Sequence, residues 1–102
     1  MIRVEITEKP RRQLYRQLRD GMRSGALRTF TLERRGRRVV HARYPGWMNW
    51  SHDDGVITCE VLSPRKPGYE WQLLSAFVGR LADKFADQIE SISIQFAAGR
   101  KR

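Results

Sequence analysis

A single dipeptide, Asp54-Gly55, constrains the fold of this sequence most strongly, because it predicts a hairpin together with its register. Asp-Gly is a favoured pair for the two-residue type I′ turn that joins antiparallel strands. Counting outward from the turn gives three cross-strand pairs: His52 with Ile57, Trp50 with Cys59, and Met48 with Val61. The apolar side chains then fall on one side of both strands, as a half-buried hairpin requires.

A further hairpin is expected upstream, around Gly36. Phe30 and Leu32 alternate with polar residues, and we predict that Leu32 opposes Val40 and that Phe30 opposes Ala42. This pairing needs a loop of odd length centred on Gly36. The predicted tip is therefore Arg34-Arg35-Gly36-Arg37-Arg38.

Two helices are predicted from apolar residues that recur at the 3.6-residue period. The first lies between Pro10 and Gly25, and its core-facing stripe consists of Leu14, Tyr15, Leu18 and Met22. The second runs from Glu70 to about Gln88 and has a broad apolar face that is typical of a buried helix surface.

The complete order of elements predicts the fold class. Alternation adds a strand at each end, over 2–7 and 91–96, and residues 63–68 are predicted to be a loop. The resulting order, β-α-β-β-β-β-α-β, predicts a single α+β domain over residues 1–96, with an antiparallel sheet and both helices packed on one face. The opposite face would be rich in Thr, Ser, Arg and Glu, and is either solvated or functional. Residues 97–102 are expected to form a flexible basic tail.

The single cysteine, Cys59, excludes an internal disulfide and suits a reducing cytoplasm. It lies at an inward position between apolar neighbours, so we interpret it as a buried small hydrophobic residue. The sequence has no apolar run of the kind found in signal peptides or membrane spans. We therefore expect a cytoplasmic protein that does not associate with membranes.

The formal net charge of +9 is concentrated in the first part of the chain. Residues 1–43 hold 13 basic side chains against four acidic ones, whereas residues 44–102 hold seven of each. Sixteen of the 20 basic residues are arginine, whose planar guanidinium binds phosphate oxygens in pairs. This asymmetry indicates an anionic partner. The competing interpretation is solvation, with some arginines paired to Glu8, Asp20 and Glu33.

Periodicity gathers these arginines into two groups that we predict to bind nucleic acid. Four of them fall in a band about 60° wide along the first helix: Arg12, Arg16, Arg19 and Arg23. Four more surround the tip of the upstream hairpin: Arg34, Arg35, Arg37 and Arg38. We expect contacts with the backbone of RNA or DNA, because the planar guanidinium of arginine binds phosphate oxygens in pairs.

The predicted start of the first helix adds to this interpretation. Lys9, Arg11 and Arg12 fall in its first turn, where the helix macrodipole is already positive. A phosphate bound at that end would turn an unfavourable arrangement into a favourable one.

No motif in the sequence supports an enzyme. His52-Asp53-Asp54 is the densest cluster of titratable side chains, but a hairpin turn already accounts for the aspartates. Metal-ligand and phosphate-loop spacings such as HxxxH, CxxC and GxxxxGK[ST] do not occur. We predict no catalytic residues, no metal and no cofactor.

The alternative to nucleic-acid binding is a protein-interaction or homodimeric module. The polar sheet face and the edge strands are candidate interfaces, because sheet edges need protection. Trp47 lies on the side of its strand opposite Trp50, and it is either a stacking or interface residue or a cap packed against Leu62.

Overall fold

The alternating segments pair into one sheet in the computed structural model, which describes residues 1–63 and 69–96. Within that part of the chain the strands are β1 (Ile2–Glu8), β2 (Phe30–Glu33), β3 (Arg38–His41), β4 (Trp47–Asp53), β5 (Val56–Leu62) and β6 (Ile89–Gln95). All neighbours are antiparallel, in the order β2-β3-β4-β5-β1-β6. The predicted α+β class and the order of elements along the chain are confirmed. Most of the predicted loop (64–68) and the predicted tail (97–102) lie outside the described residues.

Two helices cover one face of the sheet, which we call the inner face. They are α1 (Leu14–Ser24) and α2 (Tyr69–Lys84), and a short 3₁₀ turn (Ala86–Gln88) follows α2 where the predicted helix continued. Their buried side chains join the inward residues of β1, β4 and β5 in one core, in which Cys59 is fully buried. Within the described ranges, neither helix is long and apolar enough to cross a membrane.

The predicted start of the first helix is wrong. Lys9 to Arg12 form a turn in which the Arg12 N–H donates to the Lys9 carbonyl, and Arg11 has a φ of 66°. Helix α1 starts at Leu14, and the side chain of Glu8, in the preceding strand, caps it: its Oε2 accepts a hydrogen bond of 2.9 Å from the Tyr15 N–H. A carboxylate therefore already occupies the helix end for which we predicted a phosphate.

The two hairpins differ in how well the sequence predicted them. The β4–β5 register is confirmed pair for pair, including Trp50 with Cys59. The β2–β3 register is wrong by one residue: Phe30 pairs with His41 and Leu32 with Val39, so the loop has four residues, 34–37. The error lies in β3, where Val39 is fully buried and Val40 is not. Two adjacent valines leave the phase of the alternation undecided.

The sheet face away from the helices, the outer face, carries a continuous polar row across all strands of the described chain. Cross-strand pairing aligns its members from one edge to the other: Gln95, Arg3, Glu60, Asn49, Arg38 and Glu33. Trp47 lies on the same face, opposite Leu62, and is half-buried. The predicted polar character of this face is therefore present, with one aromatic residue within it.

Candidate nucleic-acid interface

The tip of the β2–β3 hairpin is held in place by a tryptophan from β4. The Trp50 indole N–H donates a hydrogen bond of 2.6 Å to the Gly36 carbonyl, and the Trp50 backbone N–H donates to the Arg37 carbonyl at 3.1 Å. Trp50 is only 4% exposed, so this anchor belongs to the core. The tip therefore has a fixed position relative to the sheet.

That position brings the tip next to α1. A β-carbon placed on Gly36 would lie 3.2 Å from a guanidinium nitrogen of Arg23, so the two are in contact. The predicted groups of arginines on the helix and on the hairpin therefore meet at Arg23 and Gly36.

A second chain of contacts links the middle of α1 to the same anchor. The Arg19 guanidinium lies 5.8 Å from the centroid of the Tyr15 ring, and the Tyr15 and Trp50 rings are 4.6 Å apart. The Nε atom of Arg19 is buried and has no hydrogen-bond partner in the structure. Both elements that carry the arginines are thus positioned by the same tryptophan.

The tip itself is one turn of left-handed backbone. Arg34, Arg35 and Gly36 have φ values of 55°, 58° and 86°. The Gly36 N–H donates to the Glu33 carbonyl at 3.1 Å, and the Arg37 N–H donates to the Arg34 carbonyl at 3.2 Å. Left-handed φ costs an L-residue with a β-carbon about 1–2 kcal/mol. Two consecutive arginines in this conformation are therefore a strained feature.

Not all the predicted residues join this surface. Arg12 lies in the turn before α1 and is therefore not part of the helical stripe, and Arg38 lies on the outer face with its guanidinium 4.7 Å from the centroid of the Trp47 ring. We define the arginine surface as the six remaining residues: Arg16, Arg19, Arg23, Arg34, Arg35 and Arg37.

The pairing with carboxylates that the competing interpretation predicts is absent among the described residues. In the described part of the chain, no carboxylate lies within 4.0 Å of any residue of the arginine surface, and Glu8 pairs with His52 instead. Arg16 donates only a 3.4 Å hydrogen bond to Gln13. The positive charge of this surface is therefore not neutralised within the described residues.

The cluster that first suggested catalysis does not assemble. The His52 Nε2 lies 2.9 Å from Glu8 Oε1, and the His52 ring stacks on Tyr15 at 4.8 Å. Burial raises the pKa of the Cys59 thiol to about 12, which disfavours the nucleophilic thiolate. Among the described residues, no group of three or more His, Cys, Asp or Glu side chains could hold a metal.

Sequence reasoning missed the role of Glu8. Its carboxylate is nearly buried, with one oxygen on the end of α1 and the other on His52. A capping residue normally lies next to the helix in sequence, whereas Glu8 lies in a strand and reaches the helix across a turn. Local pattern could not identify it.

Compared with protein-family models, with curated proteins and with solved structures, the chain matches none.

Proposed function

We propose that this protein is a small, non-enzymatic module that binds the phosphate backbone of RNA or DNA through the arginine surface. The observation that carries the proposal is the contact between Arg23 and Gly36, because it joins the cations of α1 and of the hairpin tip into one surface. We further propose a cytoplasmic location, where a lone buried cysteine stays reduced.

The chemistry of the surface favours phosphate over other anions. Six guanidinium groups without a carboxylate partner in the described chain can each donate paired hydrogen bonds to phosphate oxygens. Neutralising phosphates also releases counterions, which is the main source of affinity in backbone-directed binding. The Tyr15 ring, which lies near the arginines, is packed against Trp50 and His52, so we do not expect it to stack on bases.

The salt dependence of binding tests this proposal. Four to six phosphate contacts predict a slope of roughly −3 to −5 for log K against log salt concentration. We would titrate fluorescently labelled single-stranded RNA and duplex DNA by anisotropy at several salt concentrations. Absence of micromolar binding even at low salt would overturn the proposal.

Single variants test where the binding occurs. Arg23→Gln and Arg35→Gln should each reduce the salt slope by about one and weaken binding to all sequences alike. Arg3→Gln is the matched control, because Arg3 lies on the outer face and pairs with Glu5 at 3.4 Å. If Arg3→Gln weakens binding as much as the other two do, the arginine surface is the wrong site.

A second candidate function is self-association through β6. This strand pairs only with β1 in the described sheet, and next to it Trp71 and Phe96 are 46% and 66% exposed with their rings 5.8 Å apart. A second copy of the chain would extend the sheet and cover these rings. Size-exclusion chromatography with light scattering would show a dimer that Trp71→Ser weakens. A monomer at every concentration tested would argue against it.

A further inference from the structure

A cleft of about 460 Å³ opens between the base of the β2–β3 hairpin and α2. It lies at the opposite end of β3 from the arginine tip. Residues from both sides line it, among them His41, Arg43 and Tyr44 from the hairpin side and Gly79, Arg80 and Asp83 from α2. The volume is that of a small-molecule site and exceeds what an inorganic ion alone would fill.

Two arginines give this cleft its charge. Arg43 comes from the segment after β3 and Arg80 from the C-terminal half of α2, and after burial the charges of both contribute to lowering the pKa of His41. Within residues 1–63 and 69–96, neither guanidinium has a carboxylate within 4.0 Å, although Asp83 also lines the cleft. Two guanidiniums that line one cleft from different elements, neither of them in an ion pair with a described carboxylate, are suited to binding one anion from two sides.

The histidine adds a neutral donor. His41 Nδ1 accepts hydrogen bonds from the backbone N–H groups of Arg43 (3.0 Å) and Tyr44 (3.3 Å), so the ring proton is on Nε2. Burial, followed by the charges of Arg43 and Arg80, lowers the pKa of His41 and so favours the neutral ring. His41 therefore offers one N–H without adding charge.

Gly79 leaves room for a ligand. It lies within α2 and lines the cleft, and a β-carbon placed on it would meet no atom within 4 Å. Protein packing therefore does not require glycine here, although glycine weakens a helix interior relative to alanine. The missing side chain widens the cleft at the helix surface.

We propose that the cleft binds a phosphate monoester that carries a polar organic group. The phosphate lies between Arg43 and Arg80, and His41 donates to one of its oxygens. Asp83 accepts a hydrogen bond from a hydroxyl or amino group on the organic part. The ligand is either a free metabolite of nucleotide size or the phosphorylated end of a nucleic-acid strand. The site stands independently of the arginine surface.

Nuclear magnetic resonance of the His41 ring tests the proposal directly. Inorganic phosphate and a nucleoside 5′-monophosphate should shift the ring signals and raise the pKa of His41, while the unphosphorylated nucleoside at equal concentration should not. No shift with either phosphate compound at millimolar concentration would overturn the proposal.

Two variants and a control locate the ligand. Arg80→Gln should weaken binding of the monophosphate about tenfold, as expected for the loss of a charged hydrogen bond. Gly79→Ala should raise the midpoint of thermal unfolding by several degrees and still weaken binding, which a merely structural role cannot explain. Arg3→Gln should bind as the wild type does. Unchanged affinity in both cleft variants would contradict the proposal.

Short oligonucleotides distinguish the two sources of the phosphate. Tighter binding of a 5′-phosphorylated strand than of the free monophosphate, with a shift of His41, identifies a strand end as the ligand. Equal or weaker binding identifies a free phosphate monoester. If phosphorylated and unphosphorylated strands bind alike and neither moves His41, the strands bind only at the arginine surface. In that case the shift of the His41 signals with the free monophosphate decides whether the cleft binds a phosphate monoester.

Discussion

The tips of the two hairpins require the same left-handed backbone but use opposite residues to form it. In the β4–β5 tip, Asp54 and Gly55 have φ values of 52° and 77°, and both residue types tolerate this region. In the β2–β3 tip, Arg34 and Arg35 have φ values of 55° and 58°, which their β-carbons disfavour. The residues of the β2–β3 tip thus disfavour its backbone conformation, whereas those of the β4–β5 tip favour it.

The two tips are also held differently. The Gly55 carbonyl accepts a backbone hydrogen bond of 2.9 Å from the Glu8 N–H, whereas the Gly36 carbonyl accepts its bond from the side chain of Trp50. Strained backbone persists only where the surroundings over-determine it, and it concentrates at functional sites. The comparison therefore supports a role for the β2–β3 tip that requires its arginines.

The largest expected effect on the free energy of unfolding comes from removing the side chain that holds the β2–β3 tip. Trp50→Phe removes the hydrogen bond to Gly36 and part of a buried ring, and should lower the free energy of unfolding by about 2–3 kcal/mol. Urea denaturation measures this change. Faster amide exchange at Arg37, relative to the wild type, would show that the tip is loosened.

The matched control is Trp71, whose side chain lies outside the buried core. Trp71→Phe changes a side chain that is 46% exposed and should alter stability by no more than about 0.5 kcal/mol. If the two variants have equal stability, Trp50 does not anchor the tip.

Exchanging residue types between the tips should give smaller effects, with opposite signs in the two tips. Arg35→Gly should stabilise the fold by about 1 kcal/mol, because it relieves left-handed strain, and Gly55→Arg should destabilise it by a similar amount. Thermal unfolding measures both. Arg35→Gly should also weaken nucleic-acid binding, so the same change would raise stability and lower affinity. A destabilising Arg35→Gly would show that the comparison of the two tips is wrong.

The same comparison explains how much of the fold could be predicted. The β4–β5 register follows from Asp54-Gly55, because the turn type and the apolar alternation agree there. The β2–β3 register does not follow from the sequence, because Val39-Val40 fits either phase of the apolar alternation. Arginine, moreover, is not a residue type that indicates a left-handed turn. Agreement among local signals, rather than the strength of any one, made the prediction correct.

The candidate site was predictable only in part. Arginine periodicity identified the stripe on α1, since Arg16, Arg19 and Arg23 share one side of a regular helix. The contact between Arg23 and Gly36 depends on how the tip folds back onto Trp50, which is a tertiary effect. The cleft around His41 was missed for a related reason: pairing Val40 with Leu32 turns the neighbouring His41 toward the opposite face, whereas in the structure His41 pairs with Phe30 and packs edge-on against its ring.

The smallest expected effect is a pH dependence of the free energy of unfolding, which arises from His41 at the base of the β2–β3 hairpin. Burial, then Arg43 and Arg80, lowers the pKa of His41 in the folded chain from its ordinary value of 6.5, so below that pH the unfolded chain takes up the proton first. The free energy of unfolding is therefore highest above pH 6.5 and falls as the pH drops from 6.5 through the lowered pKa of His41 in the folded chain. Protonation of Nδ1 would also break the bonds from Arg43 and Tyr44. Urea denaturation at several pH values should show a weaker pH dependence in His41→Gln.

In Arg80→Gln, the pKa of His41 measured by nuclear magnetic resonance should move back toward 6.5. An unchanged value would mean that Arg80 does not act on this ring.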